Sequence, residues 1–123
     1  RCFNKLQEQA DLIIVEGVGG WMIQLGEDLM LAELVAQLQL PIVLVVGLRL
    51  GCINHALLSA QGIRNDGLEL CGWVANSIDP DFSDREDCLH LLQETIPVPM
   101  LAYMPYTQAG METEIDWQDI GRL

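Results

Sequence analysis

The chain offers very little positive charge. Its 123 residues include a single lysine, Lys5, and five arginines, Arg1, Arg49, Arg64, Arg85 and Arg122. Against them stand 18 acidic residues, so the net charge is −12. No basic stripe can form, which excludes nucleic acid as a partner, because phosphate backbones are held by clustered Lys and Arg. The acidity reads as a solubility feature. No apolar run reaches the ~20 residues that a membrane span needs, and no membrane partner is expected. A basic segment leading into an apolar core and a cleavage site is also lacking, so no secretory leader is read. The four cysteines (Cys2, Cys52, Cys71, Cys88) have no C-x-x-C spacing. No disulfide framework or zinc site follows from them, Cys71 reads as core, and a reducing cytoplasm fits best. Also missing is the phosphate-binding loop G-x-x-x-x-G-K-[ST] between a strand and a helix. Lys5 follows no glycine loop, so the lysine that would neutralise phosphate and the Ser/Thr that would share its metal are both lacking.

What is present is apolar material and glycine turns. Half of the residues are hydrophobic, enough for a real core in one domain or part of one. The chain is organised around residues 12–20. Leu12, Ile13, Ile14 and Val15 run without a polar break, as in a strand buried on both faces of a parallel sheet. Glu16 ends the run, and Gly17, Gly19 and Gly20 follow around Val18. A carboxylate at the carboxyl end of such a strand sits where open α/β sheets bind ligands. It can hold Mg²⁺, which takes oxygen ligands and keeps company with phosphates. The glycines let backbone N–H groups approach an anion. A plain strand and turn with a solvated Glu16 is the alternative reading.

The rest of the chain alternates. Residues 1–10 read as the end of a helix that opens without a cap, as in a chain that continues upstream. Asp28 is a candidate cap for a helix carrying Leu31, Leu34, Val35 and Leu38 at i, i+3, i+4 and i+7, stopped by Pro41. Residues 42–47 form a second buried strand. Asn54 is a candidate cap for a helix through Leu57, Leu58 and Ile63, stopped at Asn65, Asp66 and Gly67. Residues 71–76 form a third strand, and 80–84 a loop. Residues 84–94 form a helix burying Cys88, Leu89 and Leu92. Residues 99–104 form a fourth strand, closed by Pro105, and Thr113 caps a last helix with Ile115, Trp117 and Ile120. Strand–helix alternation of this kind gives an α/β fold with parallel strands and flanking helices in three layers. The strand ends would gather Glu16 with residues 17–20, residues 47–54, Asn76 with Ser77, and Pro105 with Tyr106 on one edge. Trp73 reads as packing and His90 as solvated. His55 reads as a first-turn residue without chemistry. Trp21 either shapes the site or covers a helix, and Arg49 either pairs at the surface or serves an interface.

Three stretches together carry a resemblance: VEGVGG at 15–20, VVGLRLGCINHALLSAQ at 45–61 and GWVANSI at 72–78, with IPVPMLAYMPY at 96–106 in a matching place. In order and spacing they resemble dethiobiotin synthetase, and the resemblance covers roughly residues 10–112. VEGVGG alone is shared with the cobyrinic and cobyric acid amide-forming enzymes. The resemblance implies an incomplete P-loop NTPase-like fold, in which residues 1–123 are the carboxyl-terminal part of a single domain and work as a homodimer. It implies ATP- and Mg²⁺-dependent ring closure of 7,8-diaminononanoate with CO₂ to dethiobiotin, in biotin biosynthesis. By position, Glu16 resembles the Mg²⁺ ligand, and Gly17, Val18 and Gly19 the phosphate-side ATP contacts. Asn76 is similar to the adenine reader, with Ser77 beside it. Pro105, Tyr106 and Thr107 resemble the adenine wall, Glu112 a further nucleotide contact, and Asn54 the group that reaches the substrate carboxylate across the dimer. The family's phosphate loop, catalytic lysine, substrate serine and second metal-binding aspartate have no counterpart in these residues and are expected upstream. No catalytic residue is therefore assigned, and this chain alone is expected to be inactive. Cys88 stands where the resemblance leads us to expect an aromatic that lines the substrate. The other readings are an amide-synthase chain of the cobyrinic or cobyric acid type and a non-catalytic dimerising half-domain.

Overall fold

The computed structural model describes residues 2–17, 19–108 and 116–117. After a short helix α1 (Cys2–Gln7) comes a long irregular stretch, then α2 (Leu31–Leu38), β1 (Ile42–Leu48), α3 (Cys52–Asn65), β2 (Leu70–Ser77), α4 (Arg85–Thr95), β3 (Met100–Met104) and β4 (Asp116–Trp117). The four strands lie side by side in the order β1-β2-β3-β4. β1, β2 and β3 run parallel, as the alternation requires, and β4 returns antiparallel along β3.

One face of the sheet carries the core. Val46, Leu48, Trp73 and Ala75 meet Cys52, Ala56, Ala60 and Ile63 of α3 and Leu92 of α4. Trp73 is fully enclosed, which bears out its packing role. Leu92 is buried as expected, with Cys88 and Leu89 half-buried beside it. On the opposite face Val43 is 40% and Val45 60% exposed. β1 also has a strand neighbour on one side only, among the described residues.

Helix ends follow local chemistry. α3 closes in a paired turn: the Leu68 N–H donates to Ile63 O at 3.1 Å and the Gly67 N–H to Arg64 O at 3.0 Å. Gly67 takes φ +71°, which suits a residue without Cβ. The expected stop at Asn65, Asp66 and Gly67 is thus present.

Four local expectations are corrected. Residues 12–15 form no strand, and Leu12 and Ile14 are 77% and 85% exposed. β-branched residues favour extended backbone only where a neighbouring strand takes their N–H and C=O groups, and no described strand does. Asp28 does not cap α2. It lies in a tight turn where the Leu25 N–H donates to Leu29 O and the Leu31 N–H to Ile23 O, both at 2.8 Å. The cap residue is Met30, whose N–H is taken by the Glu33 carboxylate at 2.9 Å. Asn54 is not the cap of α3; Gly51 holds that place and Asn54 lies in the first turn. Trp117 belongs to β4 and not to a helix, because pairing with β3 overrides its helical spacing. Val18, Glu112, Thr113, Ile115 and Ile120 lie outside the described residues.

Candidate functional site

Parallel pairing sets the site. In register, Gly47 of β1 lies beside Asn76 of β2, and Asn76 beside Met104 of β3. The carboxyl ends of the three strands are therefore level. The chain leaves this edge as Arg49 to Asn54 after β1, as Ile78 to Asp84 after β2 and as Pro105 to Thr107 after β3. Of the expected gathering, residues 47–54, Asn76 with Ser77, and Pro105 with Tyr106 share this edge, whereas Glu16 does not end a strand here because residues 12–15 form none. Asn76 is half-buried, whereas Tyr106 and Thr107 are exposed. Ser77 is buried, and its hydroxyl shares a 3.2 Å hydrogen bond with the Tyr103 hydroxyl. That bond fixes the end of β2 against β3. Tyr103 escaped the sequence reading because strand register, which brings it next to Ser77, has no one-dimensional signature.

The glycine turn reaches the same edge from another side. Gly19 and Gly20 line a cleft of about 690 Å³ together with Gly47, Arg49, His55 and Ile78. Their φ values, +88° and +109°, lie in the left-handed region that L side chains rarely adopt. Trp21 anchors the turn. Its indole N–H donates to the Asp66 carboxylate at 2.7 Å, and its ring lies on Gly62 of α3. Both roles open to Trp21 are present: its ring covers α3 at Gly62, and it lines the cleft beside Gly19 and Gly20. Glu16 and Gly17 are exposed, three and two residues before Gly19. Among the described residues, no three His, Cys, Asp or Glu side chains gather as a cation site. A lone carboxylate still suits Mg²⁺, which keeps several waters and binds phosphate oxygens beside one or two carboxylates.

A second cavity, of about 400 Å³, opens at the start of α3. Gly51, Cys52, Ile53 and Asn54 line it with Leu57, Phe82 and Cys88. The first amides of a helix have no intrahelical acceptor and carry positive partial charge, so this end favours an anion. No acidic residue lies in the first turn of α3. His55 rests against Gly51, with its ring 3.6 Å from where a Cβ would stand. His90 is exposed, as expected, within 3.4 Å of Glu94. The wall is mostly apolar, and its polar groups include the α3 amide terminus, Asn54 and the carboxylate of Asp84. It can take a short apolar chain with a polar end.

No helix among the described residues is long and apolar enough to cross a membrane. The sequence matches the family model described as "AAA domain" over residues 1–113. Curated relatives are named ATP-dependent dethiobiotin synthetase. That of Xylella fastidiosa (strain 9a5c) is 48% identical over 109 residues, 89% of this chain and 48% of the relative. That of Pseudomonas aeruginosa (strain UCBPP-PA14) is 50% identical over 117 residues, 92% of this chain and 51% of the relative. That of Cellvibrio japonicus (strain Ueda107) is 54% identical over 104 residues, 85% of this chain and 45% of the relative. The chain spans about half the length of the curated relatives it matches. The resemblance to dethiobiotin synthetases thus holds along most of the chain, and the chain belongs to the AAA-domain family.

Proposed function

We propose that this chain supplies the metal-carboxylate, adenine-side and substrate-carboxylate portions of a dethiobiotin synthetase. In that reaction an amine of 7,8-diaminononanoate takes up CO₂ as a carbamate. The γ-phosphate of ATP activates the carbamate, and the second amine closes the ring, releasing ADP and phosphate. The observation that carries the reading is the level edge of β1, β2 and β3, which places the start of α3, Asn76 and residues 105–107 side by side. A nucleotide laid along that edge meets each of them in turn.

The roles follow the chemistry of each group. Glu16 holds Mg²⁺, which when bound neutralises charge on the phosphates. Gly17, Val18 and Gly19 bring backbone N–H groups to the phosphate side. The Asn76 amide offers a donor and an acceptor to the adenine edge, with Ser77 steadying its strand. Pro105, Tyr106 and Thr107 wall the base, and Glu112 adds a nucleotide contact. Asn54 and the free amides of the α3 start hold the substrate carboxylate across a homodimer interface. The lysine and phosphate loop that turnover needs are not among these 123 residues. In this proposal they lie upstream in the same domain, and catalysis takes place in the cytoplasm. An amide synthase of the cobyrinic or cobyric type is disfavoured, because the relatives cited carry the dethiobiotin synthetase name.

The test joins this chain behind the phosphate-loop portion of a relative and assays dethiobiotin from 7,8-diaminononanoate, CO₂ and Mg·ATP. Product is expected. Asn76→Ala should raise the KM for ATP about 10-fold, since a lost base-edge hydrogen bond costs about 1–2 kcal/mol. Asn54→Ala should raise the KM for the diamine and leave that for ATP unchanged. An inactive fusion that folds and binds ATP would sink the proposal.

A further inference from the structure

We propose that Cys52 and Cys88 form a redox-sensitive pair in the wall of the smaller cavity, which a peroxide converts to a disulfide. The two residues come from different helices, Cys52 opening α3 and Cys88 lying in the first turn of α4. Both line the same cavity, next to Asn54, Phe82 and Asp84. Both are free thiols; Cys52 is only 2% exposed, whereas Cys88 is half-buried and open to the cavity. They lie where α3 packs on α4, Cys52 within the core cluster and Cys88 against it. Cys71 is occupied elsewhere: its thiol donates to Ile42 O at 3.1 Å, between β2 and β1.

The chemistry balances with hydrogen peroxide as oxidant. The Cys88 thiolate attacks one peroxide oxygen, the O–O bond breaks, hydroxide leaves and a sulfenic acid forms. The Cys52 thiolate then attacks that sulfur, the S–O bond breaks and a second hydroxide leaves. The two thiol protons convert both hydroxides to water. Two thiols and one peroxide give one disulfide and two waters. The link ties the first turn of α3 to α4 and changes the wall beside Asn54. It does so whatever the cavity takes, so it stands apart from the catalytic reading.

The surroundings also set its pace. Burial is the main influence raising the Cys88 thiol above its ordinary 9.0, followed by Cys52 and then by Asp84 and Asp87. Little thiolate exists at neutral pH, so the pair resists mild oxidation and reacts faster as pH rises.

The purified protein is reduced, freed of reductant and treated with hydrogen peroxide at neutral and at alkaline pH. Its monomer is then mapped by peptide mass spectrometry without reduction. A linked pair of peptides carrying Cys52 and Cys88, two hydrogens lighter, is expected. It should form faster at the higher pH, revert with dithiothreitol and be absent in Cys88→Ser. In urea the same treatment should scatter links among all four cysteines. Links to Cys2 or Cys71 in the folded protein would overturn the proposal. So would sulfonic acid on Cys88 without any link.

Discussion

At the residue scale, Trp21 shows how one side chain positions a turn. Its hydrogen bond runs to Asp66, whose carboxylate is exposed and can rehydrate. Trp21→Phe should therefore cost only about 1–2 kcal/mol, read from urea denaturation. Gly62 carries the complementary argument. A Cβ there would stand 2.7 Å from Trp21 Cδ1. Alanine gains about 1 kcal/mol of helix propensity, but pushing a buried ring aside costs about 1–3 kcal/mol. Gly62→Ala should destabilise the wild-type chain and stabilise a Trp21→Ala chain. The same sign in both backgrounds would refute the contact. The thiols add a pH dependence. Cys71 and Cys88 are both raised above 9.0, chiefly by burial. Below that value folded and unfolded chains both keep these protons, so the thiols add no slope. Above it the unfolded chain loses them first and stability falls with rising pH, until the folded thiols titrate too. Replacing both cysteines by alanine should flatten this alkaline loss in thermal melts.

Elements show where local signals suffice and where they fail. The end of α3 is legible because Gly67 in a left-handed turn needs nothing beyond its own neighbours. Gly67→Ala should cost about 1–2 kcal/mol, the strain of a Cβ at positive φ, measurable as a lower denaturation midpoint. β1, β2 and β3 are legible for a similar reason, since each is a short apolar run bounded by turn residues. Residues 12–15 have the same composition and still form no strand, because pairing is a property of two segments. Trp117 fails in the other direction, with helical spacing in the sequence and a strand against β3 in the fold.

For the whole molecule, the side of β1 that has no strand neighbour among the described residues dominates. Val45 is 60% exposed there, and Met22, Leu58 and Ile78 expose apolar surface along the same cleft. An unpaired edge beside apolar surface invites pairing with another chain. The isolated chain should therefore self-associate, with a sedimentation mass that rises with concentration. Val45→Lys should shift it toward monomer without lowering its melting temperature. A wild-type chain that stays monomeric and melts cooperatively at high concentration would contradict this.

The sequence by itself determined the α/β class, the order of the elements from residue 31 to residue 104, and the residues at the strand ends. Periodicity, caps and turn glycines act within a few positions, and these features need no more. Tertiary structure alone decided the level register of Gly47, Asn76 and Met104, the seat of Trp21 on α3, and the cavity that Cys52 and Cys88 share. It also decided that residues 12–15, however suited to a strand, stay unpaired. Each of these joins segments far apart in the chain, and the energy that selects them comes from packing and pairing, which exist only once the segments meet.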